Sequence, residues 1–257
     1  MKAATNNASR ASSTAGKILL IALLLSGCFT LHAQTSALTG YYTQVAAGDP
    51  DFGLGAVGGW ILPDGLVQNQ LGPDGLPVLT TLGIDTLGTT DINPTTDELL
   101  WWSPGQNDPY VSYDLNPVEV DSLPMAFGYP NPWYPTGQSD DESYFRTVEW
   151  EGTFNLATDD SISLDLSVDD DAWIFIDGTL VNEDHYGTTS DTTTDLLAGD
   201  HTINIFYDDR IPEFDQFDLT SSVTLSPVPE PGVISLSAAG AFGLLVCGWR
   251  RQKSLAR

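Results

Sequence analysis

Asp177-Gly178 stands between two apolar runs, Ala172 to Ile176 and Thr179-Leu180-Val181. A two-residue Asp-Gly loop suits a tight hairpin, because both central residues must take positive φ and these two types tolerate it. The chain therefore reverses here, and its flanks are strands. Neighbouring segments carry the same signature. Val148, Trp150, Phe154 and Leu156 share one strand parity, and Ile162, Leu164, Leu166 and Val168 resume the alternation after Asp159-Asp160-Ser161. Ile203, Ile205 and Tyr207 alternate again, as do Phe217, Leu219, Ser221 and Val223. Alternation with period two predicts strands with one face buried, whereas Ala172 to Ile176, apolar on both parities, predicts a central strand buried on both. No convincing amphipathic helix competes. The expected fold is all-β, an antiparallel β-sandwich or barrel, best defined from residue 146 to 225.

The first half is less regular. Tyr41 to Val45 reads as an opening strand, and Pro63-Asp64-Gly65-Leu66 and Pro73-Asp74-Gly75-Leu76 are two copies of one turn. Two copies fit a meander; a solenoid needs three or more repeats. Residues 103–143, rich in proline and acids, predict long loops packed on the sheet. Among Trp60, Trp101, Trp102, Trp133 and Trp150, most are expected in the core. Adjacent residues on a strand face opposite ways, so one of Trp101 and Trp102 is expected to be exposed.

Charge narrows the partners. Of nine basic residues only Arg146 and Arg210 lie between residues 34 and 231, against all 35 acidic ones, a formal charge of −33 for that stretch. Such a surface repels nucleic acid and anionic lipid. In so acidic a setting both arginines are expected to hold carboxylates, by default as bidentate pairs. Both cysteines, Cys28 and Cys247, fall in the terminal segments, so the stretch between has no thiol chemistry. It also has no Gly-x-Ser-x-Gly elbow, no His-Glu-x-x-His helix and no phosphate loop, and only His185 and His201 as imidazoles. No enzyme is expected. A hydrolase built on a carboxylate pair is the remaining alternative.

The two ends speak of export. Lys17, the apolar run Ile18 to Leu25 and Ala33 before Gln34 have the order of a secretory signal peptide over residues 1–33. Leu25-Ser26-Gly27-Cys28 resembles a lipobox, in which Cys28 would be lipidated instead. The exported domain then spans 34–226 and the terminal segment 227–257. That segment opens with Val228-Pro229-Glu230-Pro231, continues as an apolar run from 233 to 249 and closes on Arg250, Arg251 and Lys253. Seventeen helical residues span roughly 26 Å, enough for a thin bilayer, and the cationic end stays cytoplasmic. The three parts resemble the PEP-CTERM sorting signal. That resemblance implies an exosortase partner in the inner membrane and a final place at the cell surface or outside it.

A second resemblance rests on Ser167-Val168-Asp169-Asp170-Asp171-Ala172-Trp173-Ile174-Phe175-Ile176-Asp177-Gly178-Thr179-Leu180-Val181 and on Asn204-Ile205-Phe206-Tyr207-Asp208-Asp209-Arg210. These stretches resemble fibro-slime domains, relatives of the protective-antigen-type β module, over about 140–225. The family's Gly-Gly-x-His element is replaced by Asp184-His185-Tyr186-Gly187. In the adhesin branch of such modules two adjacent aspartates hold calcium and help hold a sugar hydroxyl. The resemblance implies that role for Asp169 and Asp170, with Asp171 beside them; Asp208 and Asp209 would complete a site only if folding brings them near. Calcium takes six to eight oxygens and tolerates irregular geometry. A turn-capping role for one aspartate, with the others solvated, is the structural alternative. The expected function is adhesion by carbohydrate binding with calcium, directed at extracellular polysaccharide. A non-catalytic component of the biofilm matrix is the alternative.

Overall fold

The computed structural model describes residues 36–105, 109–128, 144–186, 188–211 and 216–228. The expected signal peptide with Cys28, Trp133, the Pro229-Glu230-Pro231 turn, the apolar run 233–249 and the cluster Arg250, Arg251 and Lys253 lie outside them. Among the described residues no helix is long and apolar enough to cross a membrane.

The fold is all-β, with two antiparallel sheets. The larger runs in the order β3 (Pro77–Leu79), β2 (Val67–Leu71), β9 (Thr179–His185), β8 (Asp171–Ile176), β11 (Gly199–Asp209), β6 (Tyr144–Leu156), β1 (Ala37–Ala46) and β4 (Val111–Ser122), and a short β13 (Ser226–Pro227) also pairs with β6. The smaller runs β10 (Thr188–Leu196), β7 (Asp160–Asp169), β12 (Gln216–Ser221) and β5 (Met125–Gly128). Between β8 and β9 the expected hairpin turns on Asp177 and Gly178, with φ of 50° and 72°. Its closing pair is Ile176 opposite Thr179.

Side-chain alternation decides the layers. Val148, Trp150, Ile174, Ile203, Ile205 and Tyr207 from the larger sheet meet Ile162, Leu164, Leu166, Val168, Phe217 and Leu219 from the smaller in one core. The all-β, antiparallel expectation is met here. Trp150 is wholly buried, stacked on Tyr207 at 6.1 Å and against Phe217 at 4.6 Å. Burying a ring of that size contributes about 3–5 kcal/mol before entropy is counted. On the opposite face of the larger sheet, Val45, Phe145, Trp173, Phe175 and Phe206 are covered by residues of the long segment between β1 and β4, including Phe52, Leu66, Leu99, Trp101 and Trp102. Strand β8, covered on both sides, is buried at all six positions, as its unbroken apolar pattern predicts.

Three expectations from the first half need correction. Residues 111–122 form an edge strand rather than a loop. Pro117 marks its irregularity, because pairing with β1 jumps from Tyr41–Val118 to Thr43–Tyr113, and an edge tolerates a residue without an N–H. A seven-residue helix, α1 (Thr81–Leu87), is present and capped by Thr80, whose Oγ1 accepts the Gly83 N–H at 3.1 Å. Trp101 and Trp102 are both buried, because they lie in a turn rather than on a strand and both rings fold onto the sheet. Trp102 donates its indole N–H to the Tyr207 carbonyl at 3.0 Å.

Candidate cation and ligand site

Asp169 ends β7 and Asp171 opens β8, so the aspartate run is the crossing between the two sheets. The peptide between Asp169 and Asp170 is cis. Asp170 is buried, and its Oδ2 accepts two backbone N–H groups, from Arg210 at 2.6 Å and Ile211 at 2.5 Å, where the chain leaves β11. Its Oδ1 stays outside these bonds. The Asp169 carbonyl accepts the Tyr207 hydroxyl at 2.7 Å, and the Asp170 carbonyl accepts the Tyr186 N–H at 2.7 Å. Both ends of the dipeptide are thus tethered to neighbouring strands.

Asp171 is engaged differently. Its Oδ2 accepts the Arg210 Nε–H at 3.1 Å, and its Oδ1 meets His185 Nδ1 at 2.6 Å. His185 also reaches Glu183 through Nε2 at 3.1 Å. Burial pulls the His185 pKa down, but hydrogen bonds to Asp171 and Glu183 outweigh it and lift the imidazole to about 9. It is therefore cationic at neutral pH. Two buried cations, Arg210 and His185, occupy Asp171. Burial, reinforced by Asp171, pushes Asp170 up to about 8.

Arg210 connects this junction to the loops that cover the sheet. It is wholly buried, and beyond Asp171 its Nη1 and Nη2 donate to the carbonyls of Asp51 at 3.1 Å and Gly59 at 2.9 Å. The pairing with Asp171 runs through Nε, so the expected bidentate geometry is not the one found; the guanidinium spends its other edges on carbonyls. Its own carbonyl accepts the Gly53 N–H at 2.8 Å. The loop fixed this way carries Trp60, which is 49% exposed, while every other tryptophan among the described residues is buried. Strand pairing does bring Asp208 opposite Asp171 and Asp209 opposite Arg146. Asp208 is fully buried, and burial together with the Asp171 charge pushes its pKa well up.

Two further acidic groups escaped the sequence reading. Asp49, Asp51 and Asp91 converge with ligand-capable atoms within 4.8 Å of one another, all three buried. Burial and the neighbouring Asp91 lift Asp51 to about 8. The Asp49-Pro50-Asp51 spacing is visible in the chain, but Asp91 lies forty residues away and only tertiary folding adds it. Glu149 and Glu151, on one face of β6, line a cavity of about 290 Å³ together with Tyr41, Thr43 and Trp102. Burial, and then the Glu151 charge, raises Glu149 to about 8.

A family model of the PA14 domain matches residues 133–236. Among curated proteins none matches the chain. Several solved structures overlay on parts of it. The PA14 sugar-binding domain from an RTX adhesin is 13% identical, with 73% of this chain and 91% of that one covered and a TM-score of 0.32. The epithelial adhesin 9 A domain from Candida glabrata, in complex with Galb1-4GlcNAc, is 13% identical, with 38% and 53% covered and a TM-score of 0.28. An alpha-xylosidase from Xanthomonas citri is 20% identical, with 44% of this chain covered and a TM-score of 0.33; the overlay spans 12% of that enzyme.

Proposed function

We propose that the chain is an exported adhesive module that binds carbohydrate, with calcium held at Asp169 and Asp170. The observation that carries this reading is the tethered aspartate pair. Backbone donors of Arg210 and Ile211 orient Asp170, and its Oδ1 lies outside those bonds. The donor set is all oxygen, which suits calcium, and calcium would supply a positive centre for sugar hydroxyls. Asp171, held by Arg210 and His185, takes the role of a positioning residue rather than a ligand. The PA14-domain match over residues 133–236 supports the carbohydrate-binding part of this reading. Trp60, exposed on the loop tied to Arg210, supplies the flat apolar face on which a sugar ring stacks.

In this reading the signal peptide over residues 1–33 directs export, and the Val228-Pro229-Glu230-Pro231 segment presents the chain to an exosortase. Its polysaccharide partner lies at the surface or in the extracellular matrix. The net acidity of the exported stretch favours neutral glycans over anionic ones. The test is a glycan-array screen of the full-length chain in calcium and in chelator. Calcium-dependent binding lost in Asp170→Asn would support the reading; glycan binding indifferent to both would refute the calcium part.

A second reading has one observation behind it. The Glu149 and Glu151 pair in its cavity is the candidate a carboxylate-dependent hydrolase would need. It predicts that any glycan bound is also cleaved, and that cleavage disappears in Glu149→Gln. Binding without cleavage would exclude it.

A further inference from the structure

The Asp49, Asp51 and Asp91 cluster does something the ligand junction does not: it gathers three buried carboxylates around one point. Their exposures are 3%, 1% and 0%. Ligand-capable atoms of all three lie within 4.8 Å of one another. Calcium–oxygen bonds of about 2.3–2.6 Å place oxygens on opposite sides of one ion up to about 5 Å apart, so this spread is that of a single coordination sphere. Arg210 gives its side-chain donors to Asp171 Oδ2 and to the carbonyls of Asp51 and Gly59, not to these carboxylates.

A separate observation concerns hydrogen bonding. Asp51 Oδ1 is buried and has no hydrogen-bond partner, although Asp91 and the Trp101 side chain face its carboxyl. The Trp101 indole N–H, on a residue that is wholly buried, approaches Asp51 without closing a full bond onto it. A buried carboxylate oxygen left this way costs free energy unless something positive meets it.

We propose that Asp49, Asp51 and Asp91 form a second divalent-cation site, and that calcium is its ion. The donors are carboxylates alone, which excludes the sulfur and imidazole preferences of zinc or copper. Burial disfavours magnesium, which keeps several of its waters. The site does not touch ligand; it fastens the loop. Asp49 and Asp51 stand at the start of the segment that reaches Gly53 and Gly59, which like the Asp51 carbonyl are bonded to Arg210, and Trp60. Asp91 belongs to the segment leading to Trp101, its carbonyl accepting the Leu100 N–H at 2.8 Å. An ion here joins the two coverings of the larger sheet and holds the Trp60 loop in place.

Trp101 makes the site directly observable. Terbium, a luminescent stand-in for calcium, emits when a tryptophan lies close to it. Chelator-treated full-length protein titrated with terbium should show sensitised emission that calcium displaces. Asp51→Asn and Asp91→Asn, both close to isosteric, should each weaken that binding at least about tenfold, the loss expected when one charged ligand is removed. Asp170→Asn should leave it intact, so failure here is distinguishable from failure at the ligand junction. Trp101→Phe should dim the emission while calcium stoichiometry by calorimetry is unchanged. Emission and stoichiometry both indifferent to Asp51→Asn and Asp91→Asn would overturn the proposal. So would an Asp51→Asn protein that is more stable without calcium and still binds the same number of ions, since the cluster would then be carboxyls sharing a proton.

Discussion

Replacing Arg210 with methionine tests whether the junction is as dry and as interlocked as its geometry implies. Methionine keeps most of the apolar stem, so little cavity is created and the loss is mainly polar. Three side-chain bonds disappear, to Asp171 Oδ2, the Asp51 carbonyl and the Gly59 carbonyl. Removing one partner of a buried ion pair costs about 3–5 kcal/mol, because the other charge stays behind without compensation. Here His185 still meets Asp171 Oδ1 at 2.6 Å, which pulls the pair's share toward the lower end. Two carbonyls stripped of charged donors bring it back up, and the effects overlap. The expected loss is about 4 kcal/mol, or a fall in Tm of about 8–16 °C for a unit of this size. Urea unfolding of the full-length chain, with Arg210→Met and Arg210→Lys beside the parent, measures it. Lysine restores charge but cannot reach three acceptors, so it should recover no more than about half. A loss under about 1 kcal/mol in Arg210→Met would refute the reasoning, since it would mean that water already solvates the guanidinium and Asp171.

Trp60→Ala should leave unfolding midpoints within about 0.5 kcal/mol of the parent, because the ring is exposed. It should also weaken glycan binding about tenfold in a titration. Gly178→Ala should destabilise by about 1 kcal/mol in the same unfolding assay, since its φ of 72° is strained for alanine although no atom lies within 4 Å of the added Cβ. The His201–Asp177 pair, 2.7 Å apart, should show a pH signature. The His201 pKa is raised by its bond to Asp177, so its stabilisation is complete below the unfolded value of 6.5 and fades as pH rises through the folded value. Burial works against the lowered Asp177 pKa, but the His201 bond prevails, so that arm is present above 3.8 and fades as pH falls through the folded value. His201→Gln should therefore cost more at about pH 5.5 than at about pH 9, and an equal cost at both would contradict the pairing.

The strands were legible wherever one residue in two had to be apolar. Val148 and Trp150, Ile162 to Val168, Ile203 to Tyr207, and Phe217 and Leu219 all point into the shared core from the parity their spacing implies. Asp177-Gly178 was legible because positive φ at both positions leaves few residue types to choose from. Residues 111–122 were not, since an acidic edge strand interrupted at Pro117 lacks the alternation that burial imposes. Trp101 and Trp102 misled for a related reason. The rule that neighbours face opposite ways holds only on a strand, and these two sit in a turn. At the crossing between the two sheets, Asp169 and Asp170 were singled out through family likeness, but the capture of Asp171 by Arg210 and His185 was not foreseeable from spacing.

Local chemistry in the chain was sufficient for the class of fold: alternation, one hairpin turn and a doubly apolar strand admit antiparallel β-structure and little else. It was sufficient too for the charge, with two cations among 35 acids from residue 34 to 231. The pairing of those charges belonged to the tertiary structure. Arg210 meets Asp171 across 39 residues, and Asp91 meets Asp49 and Asp51 across some forty, because strands β8 and β11 and the covering loops bring them together. Side-chain periodicity is a property of neighbours along the chain and survives in the sequence. Coulombic and hydrogen-bond partnership depends on separation in space, which only folding assigns.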